Sequence, residues 1–224
     1  MRGYLPSYSP KPAAVPVTPK RPLSRRGCAV KDALKMFRDE HRSLAAVLRA
    51  MHDLVERVHG GGLPDFDGLR AMLYYVDAYS ARLHHPKEDE LLFQPLRARG
   101  GDADALVEEL EREHARLAAA MSSLEQSFLR YETGGESEFV AFATAIEGFC
   151  EFYLRHMREE ETLVLPLAET LFSDADWARI DAASAAAREP QGGAGEEREF
   201  QQLLRRILGP GMVPPSADLP ATLP

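Results

Sequence analysis

The sequence predicts an all-α protein, built as an antiparallel, up-down four-helix bundle with additional short C-terminal helices and disordered termini. Apolar residues recur at spacings of three and four over long stretches, which is the period of a helix with one buried face. Alternation of period two, the sign of a half-buried strand, is absent from the sequence. Clusters of glycine and proline divide the pattern into four long runs, and their short connections make successive helices antiparallel.

The four long helices are separated by clear breaks in the sequence. They are expected at about residues 30–58, 67–97, 102–131 and 138–171. Three glycines before Pro64 end the first run, Pro86 lies inside the second, and Gly134 follows the third. Each run is long enough to form one full side of a bundle.

Two shorter helices are expected after the bundle. Ser173, followed by Asp174, is a typical N-cap and predicts a helix that continues to about Arg188. After a stretch rich in proline and glycine, residues 196–208 form a last amphipathic segment. We expect this segment to pack on the outside of the bundle.

The composition divides the chain into four parts. They are a basic tail at 1–31, the bundle at 32–171, a helical extension at 172–208 and a proline-rich tail at 209–224. The first 31 residues contain seven basic side chains, no acidic side chain and six of the 16 prolines. Such a segment buries too little apolar surface to offset its ordering entropy, so we expect it to be disordered.

Charge, hydropathy and cysteine content exclude several classes of protein. The net charge is −8, so a tail of +7 leaves −15 on the remainder, which argues against a domain that binds duplex nucleic acid. The basic tail could still tether the protein weakly to nucleic acid or an anionic surface, or serve as a targeting segment. No stretch approaches the roughly 18 to 20 apolar residues of a membrane span, and no signal peptide is present, so we expect a cytoplasmic protein without a membrane partner. Cys28 and Cys150 are too few for a disulfide framework or a four-thiolate zinc site.

The most informative feature is an internal repeat of acidic residues and histidine. The two copies are Glu40-His41 with His84-x-x-x-Glu88, and Glu113-His114 with His156-x-x-x-Glu160. The glutamate-histidine pair lies on one helix, and the histidine-glutamate pair lies on the next. A duplicated pair of helices is the simplest explanation of this recurrence.

The spacing within each copy brings a nitrogen donor next to an oxygen donor. Residues four apart on a helix share a face, with Cβ atoms about 6 Å apart. His84 with Glu88, and His156 with Glu160, therefore each form an inward-pointing pair. If the four helices form a bundle, the first histidine of each copy adds another imidazole to the same layer.

Such a layer predicts a metal site. Buried carboxylates and unsatisfied imidazoles are heavily penalised in an apolar interior, and metal ions remove that penalty. Two bridging glutamates and two histidines per ion give each ion four protein bonds, which leaves room for an oxygen bridge and an exogenous ligand. Mixed imidazole and carboxylate ligation favours iron or manganese.

The register of the second helix has two solutions. His85 with Asp89 is an equally good four-residue pair. We prefer His84 with Glu88, because the acidic residues around Glu88 then match those around Glu160. Pro86 removes a backbone hydrogen bond, so we expect it to bend the helix and help to aim the pair.

At these residues the chain resembles the hemerythrin-like, or HHE cation-binding, family. The resemblance rests on Glu40-His41, on His84-His85-Pro86-Lys87-Glu88-Asp89-Glu90-Leu91-Leu92-Phe93, on Glu113-His114 and on His156-Met157-Arg158-Glu159-Glu160-Glu161. It covers about residues 32–171, and residues 174–181 are similar to the segment that follows the domain in bacterial members. The resemblance implies an antiparallel four-helix bundle with a non-haem di-iron centre that meets O2, NO or peroxide. The ligands that it implies are His41, His84, Glu88, His114, His156 and Glu160.

The sequence departs from hemerythrin proper at one ligand. Hemerythrin proper has a second histidine one turn after the first on its third helix, and that position here is Ala118. We therefore expect four histidines rather than five, with two similar and more open irons, which favours redox turnover or sensing over stable oxygen carriage. Solvent, Tyr74, Tyr75 or a nearby carboxylate could fill the vacant position.

Three functions are compatible with these residues. The first is a metal-binding protein, rather than a dedicated enzyme, that binds or senses O2, NO or peroxide. The second is an iron donor for the repair of damaged iron–sulfur clusters. Relatives with that role commonly carry paired cysteines in an N-terminal segment, whereas residues 1–31 contain only Cys28. The third is a helical interaction module in which metal is incidental.

Overall fold

The computed structural model of the protein describes residues 26–186 and 194–209, which form helices and no strand. The expected all-α bundle is confirmed. The first helix begins at Arg26, inside the segment that we expected to be a disordered tail. The tail residues before it, the connection at 187–193 and the proline-rich segment 210–224 lie outside the described residues.

Six helices follow one another in the described part of the chain. They are α1 (Arg26–His59), α2 (66–97), α3 (Asp102–Gly134), α4 (139–171), α5 (Asp174–Ala186) and α6 (Ala194–Leu208). A 3-10 turn at Gly135–Glu138 joins α3 to α4. The Asp65 side chain caps α2 by accepting a hydrogen bond from the backbone N–H of Gly68, at 2.9 Å. None of the described helices is sufficiently long and apolar to cross a membrane.

Helices α2 and α4 remain continuous across their prolines because they contain π turns. These turns lie at Ser80–His84, Asp89–Phe93 and Glu160–Val164. Each ends two residues before a proline, at Pro86, Pro95 and Pro166. The N–H group just before each proline donates to the carbonyl five residues back, so the wider turn makes room where a proline ring would clash with an ordinary α turn. Three of the expected ligands, His84, Glu88 and Glu160, lie within or beside these turns.

Contacts along the helices show that neighbours run in opposite directions. Between α2 and α3, the ring of Phe66 lies 5.1 Å from that of Tyr131, whereas His85 lies against His114 much nearer the start of α3. The same reversal holds between α1 and α4, where His59 contacts Phe139 and the Leu48 carbonyl accepts from the Cys150 thiol. The four long helices therefore form an up-down bundle.

A polar layer divides the interior of the bundle into two apolar clusters. The larger cluster includes Leu48, Met51, Tyr75, Met121, Phe142 and Ile146. The smaller cluster includes Phe37, Leu92, Leu96, Val107, Val164 and Leu165. The ligand positions expected from the sequence lie between the two sets on every one of the four long helices. The clusters thus shield the layer from both ends of the bundle.

The two C-terminal helices complete these clusters. Helix α5 begins after the N-cap Ser173, as expected, and buries Trp177 and Ile180 in the smaller cluster. Helix α6 buries Phe200 and Leu204 in the larger cluster. The Phe200 ring lies 5.4 Å from that of Tyr79 on α2. The last amphipathic segment therefore covers the outer face of α2 with an apolar contact.

Phe200→Ala should lower the free energy of unfolding by about 3 kcal/mol, because it deletes a large side chain that is only 4% exposed. Urea unfolding followed by circular dichroism measures the change. The matched control is Leu63→Ala, since Leu63 is 92% exposed and its truncation should change stability by less than about 0.5 kcal/mol. Equal stabilities of the two variants would mean that α6 does not dock on the bundle in solution.

Candidate metal centre

The structure places the six residues expected as ligands in one buried layer. Helix α1 supplies His41, α2 supplies His84 and Glu88, α3 supplies His114, and α4 supplies His156 and Glu160. Five of these side chains are at most 1% exposed, and the sixth, His114, is 11% exposed. Of the two registers considered for α2, His84 with Glu88 is the buried pair.

Glu88 contacts histidines from both halves of the repeat. Its Oε1 atom lies 3.2 Å from Nε2 of His41 and 3.4 Å from Nε2 of His84. Its Oε2 atom lies 3.6 Å from Nε2 of His114. One carboxylate from α2 therefore spans the space between the two sets of imidazoles.

Glu160 occupies the equivalent position from the opposite side. Its Oε2 atom lies 3.3 Å from Nε2 of His41, and its Oε1 atom lies 3.3 Å from Nε2 of His156. The same Oε1 atom lies 3.6 Å from Nε2 of His114. Both glutamates thus lie where each of them could contact two ions.

Two groups of donor atoms in this layer are close enough together to hold a cation. The ligand atoms of His41, His84, Glu88 and Glu160 lie within 4.8 Å of one another. A second group with the same spacing consists of His85, His114 and His156. His85 is not one of the six expected ligands; it belongs to the alternative register, with Asp89, that the sequence left open.

Unsatisfied polar atoms show that these donors fit a metal. Among the described residues, nine buried side-chain atoms have no hydrogen-bond partner, and six of them belong to the expected ligands: Nε2 of His84, His114 and His156, Oε2 of Glu88, and both carboxylate oxygens of Glu160. Each buried unsatisfied atom costs about 1 to 3 kcal/mol. Metal ions between the imidazoles and the carboxylates would satisfy these six atoms together.

Every one of the four histidines also has a carboxylate on its other ring nitrogen. The Nδ1 contacts are His41 with Glu161 at 3.1 Å, His84 with Glu40 at 2.9 Å, His114 with Asp89 at 3.6 Å and His156 with Glu113 at 2.9 Å. The three shorter contacts, of His41, His84 and His156, are hydrogen bonds, and such a bond orients the ring so that Nε2 faces the position of a metal. The sequence carried the signal for these outer residues, an acid before each first histidine and an acid after each glutamate, but it did not reveal their partners.

The comparison with protein families agrees with this geometry. A model of the hemerythrin HHE cation-binding domain matches residues 32–168. The chain belongs to this family. The matched range contains α1 to α3 and nearly all of α4, so α5 and α6 lie beyond the HHE domain. No curated protein and no solved structure matches the chain.

Two histidines of the layer, His114 and His41, have raised pKa values in the metal-free state. Burial lowers the pKa of His114, but Asp89, Glu160 and Glu88 outweigh burial and raise this pKa to about 10. The pKa of His41 is likewise raised well above its usual value, because hydrogen bonds with neighbouring glutamates outweigh the effect of burial. Burial raises the pKa of Glu160, but the surrounding histidines outweigh it and hold this pKa well below the usual range. A metal cation would replace these protons.

Two openings reach the layer from different sides of the HHE domain. A polar cleft of about 500 Å³ is lined by Asp39, Glu40, Lys87 and Glu197, and Glu40 joins it to His84. A smaller pocket of about 40 Å³ lies on the His114 side of the layer. It is lined by Val76, Asp77, Ser80, Ala81, His85, Leu117, Ala118, Met121, Phe149 and Tyr153.

The other candidate donors lie away from the two donor groups. Tyr74 and Tyr75 pack against Phe200 of α6, with ring centroids 6.4 and 6.0 Å from it. His59 packs on Phe139, which belongs to the larger apolar cluster. Burial raises the pKa of the Cys150 thiol to about 12, which keeps it a neutral donor to the Leu48 carbonyl.

Glu88→Ala should remove at least one metal ion per chain and lower the free energy of unfolding by about 3 to 5 kcal/mol, because it leaves buried imidazoles without their counter-charge. Metal analysis by mass spectrometry and urea unfolding measure the two effects. His52→Ala is the control: His52 lies on the same face as His41 but about 16 Å further along α1. Equal metal loss in both variants would contradict the assignment of Glu88.

The metal-free protein should lose stability as the pH rises from 6.5 to 8.5, by about 2 kcal/mol. His114 has a folded pKa of about 10 and an unfolded value near 6.5, so the folded state holds the extra proton in this range and its stabilisation is lost with rising pH. Urea unfolding at several pH values in the presence of a chelator tests this. In His114→Gln the slope should be shallower, and a stability that rises with pH in the wild type would refute the charge assignment.

Proposed function

We propose that this HHE domain holds two non-haem iron ions and uses them to bind or sense O2, NO or peroxide. The observation that supports this most strongly is the convergence of Glu88 and Glu160 on imidazoles of both halves, with three of their four carboxylate oxygens unsatisfied. His41 and His84 would hold one ion, and His114 and His156 the other. The two glutamates would lie between the ions.

The donor set favours iron, with manganese as the alternative. Imidazole and carboxylate ligands suit both metals, and the buried thiol of Cys150 is directed to a backbone carbonyl instead. Iron in such a site supplies reversible binding of small ligands and one-electron exchange with them. The four outer carboxylates hold the imidazole rings, and the two apolar clusters exclude bulk water from the layer.

The small pocket beside His85 supports a ligand of a few atoms. Its volume of about 40 Å³ is close to the roughly 30 Å³ that one water molecule occupies in the liquid. Its lining is mostly apolar, with Val76, Leu117 and Phe149 among the residues. Such a pocket suits an uncharged diatomic gas better than an ionic metabolite.

Iron quantification tests the metal assignment. After anaerobic loading with ferrous iron and desalting, the wild type should retain about two irons per chain. Anaerobic titration with NO, O2 and peroxide, each followed by optical spectroscopy, then identifies the ligand. Retention of less than about one iron per chain would overturn the proposal and favour a helical interaction module.

Filling the small pocket tests its use by the ligand. Ala118→Leu should slow the binding of NO at least about tenfold, because the larger side chain occupies the pocket, and iron content should stay unchanged. Stopped-flow absorption measures the rate. Ala119→Leu, at the next residue of α3, is the matched control and should bind NO at the wild-type rate. Identical rates in both variants would exclude this pocket as the route.

Iron donation is the second candidate function. The polar cleft favours it, because Asp39, Glu40 and Glu197 bring carboxylates to an opening that ends at the His84 contact. Hard cations prefer such oxygen ligands, so the cleft offers a path for metal exchange. An iron–sulfur acceptor without its cluster should then recover the cluster only when the iron-loaded protein and a sulfide source are added. Recovery with free ferrous iron at the same rate would exclude this function.

A further inference from the structure

His85 lies closer to the centre than the sequence predicted. It follows His84 on α2, and its ring is stacked on that of His114, with centroids 3.9 Å apart and planes within 11° of parallel. The ring centroid of His156 lies 6.2 Å away. Imidazoles from three different helices therefore meet on the same side of the two glutamates.

The ligand atoms of these three imidazoles form a group of their own. His85, His114 and His156 each offer a nitrogen within 4.8 Å of the others, close to the roughly 4.2 Å across two metal–nitrogen bonds. Binding of one ion by all three would require the stacked rings of His85 and His114 to turn toward it. His114 and His156 are also the two histidines assigned above to the second ion. The ligand atom of His85 thus groups with the donors of the second ion, although the His85 ring centroid also lies 5.5 Å from that of His84.

Ala118, the position on α3 where hemerythrin proper has a further histidine, lies close to His85. Ala118 stands where a further histidine was expected by resemblance, and Ala118 and His85 line the same small pocket. The short alanine side chain leaves that space open, and an imidazole from α2 borders it. The hydroxyl of Tyr153 lies 3.3 Å from Nε2 of His85, which helps to hold the ring beside the pocket.

We propose that His85 is a fifth imidazole ligand, on the ion held by His114 and His156. The second ion then has three histidines and the first has two, so the two ions are unequal. This replaces the expectation of two similar irons with four histidines in total. The inference rests on the proposed iron site and adds a ligand to it.

Mössbauer spectroscopy of the protein loaded with iron-57 tests the inequality of the ions. The wild type should give two quadrupole doublets of equal area, one for each iron environment. In His85→Ala, the doublets should approach one another, and the affinity for the second iron should fall at least about tenfold. His85→Gln keeps most of the side-chain volume and should show the same loss, which separates ligation from packing.

Rescue by a free ligand distinguishes coordination from an indirect effect. Imidazole added to His85→Ala should enter the enlarged pocket and restore the two doublets and the second-iron affinity. His52→Ala, with and without imidazole, is the control and should match the wild type throughout. Circular dichroism and urea unfolding of the metal-free variants establish that they are folded. Rates of gas binding are not a readout here, since removing His85 also widens the pocket.

The outcomes separate this inference from the proposed function. If the wild type retains two irons, and His85→Ala keeps both the affinity and the spectrum of the wild type, His85 is not a ligand and the iron site still stands. If the affinity falls but imidazole restores neither the affinity nor the spectrum, the effect is one of packing and the inference is also overturned. If the wild type retains no iron, the proposed function fails first, and this inference fails with it.

Discussion

Two carboxylates and four imidazoles enclosed in an apolar interior form the constraint on which the rest of the structure depends. Each of these groups would be costly to bury alone, and their shared layer places the two carboxylates beside the four imidazoles. The two apolar clusters close the layer from above and below. The four helices must therefore stay in one register, because a shift of one turn would bring an apolar residue into the layer.

Four further carboxylates lie outside this layer, each beside the Nδ1 atom of one of its histidines. Glu40 and Glu113 reach across to a histidine of the next helix, whereas Asp89 and Glu161 reach the histidine of the other half. His41, His84 and His156 are thus each held at Nδ1 by a carboxylate, which restricts their rotation before any cation arrives. The repeat in the sequence is a repeat of this complete arrangement, including the acids that do not face the centre.

The two halves are nevertheless unlike in ways that bear on function. Helix α2 contains two π turns and α4 contains one, and only α2 has a second histidine beside the first. His114 is partly exposed next to the small apolar pocket, whereas His84 adjoins the polar cleft through Glu40. The layer therefore adjoins an apolar pocket on one side and a charged cleft on the other.

The sequence by itself determined the helices and the pairs within each of them, because the spacing of apolar residues and the step of four from His84 to Glu88 depend on a single helix. It predicted all six residues of the buried layer, but His85 with Asp89 satisfied the same step, so the register remained a preference. Only the tertiary structure decided between the two registers. It buries His84 with Glu88 and also places His85 and Asp89 beside His114. The partners of Glu40 and the closeness of His85 to His114 depend on how two helices pack, and the spacing within one helix carries no information about that contact.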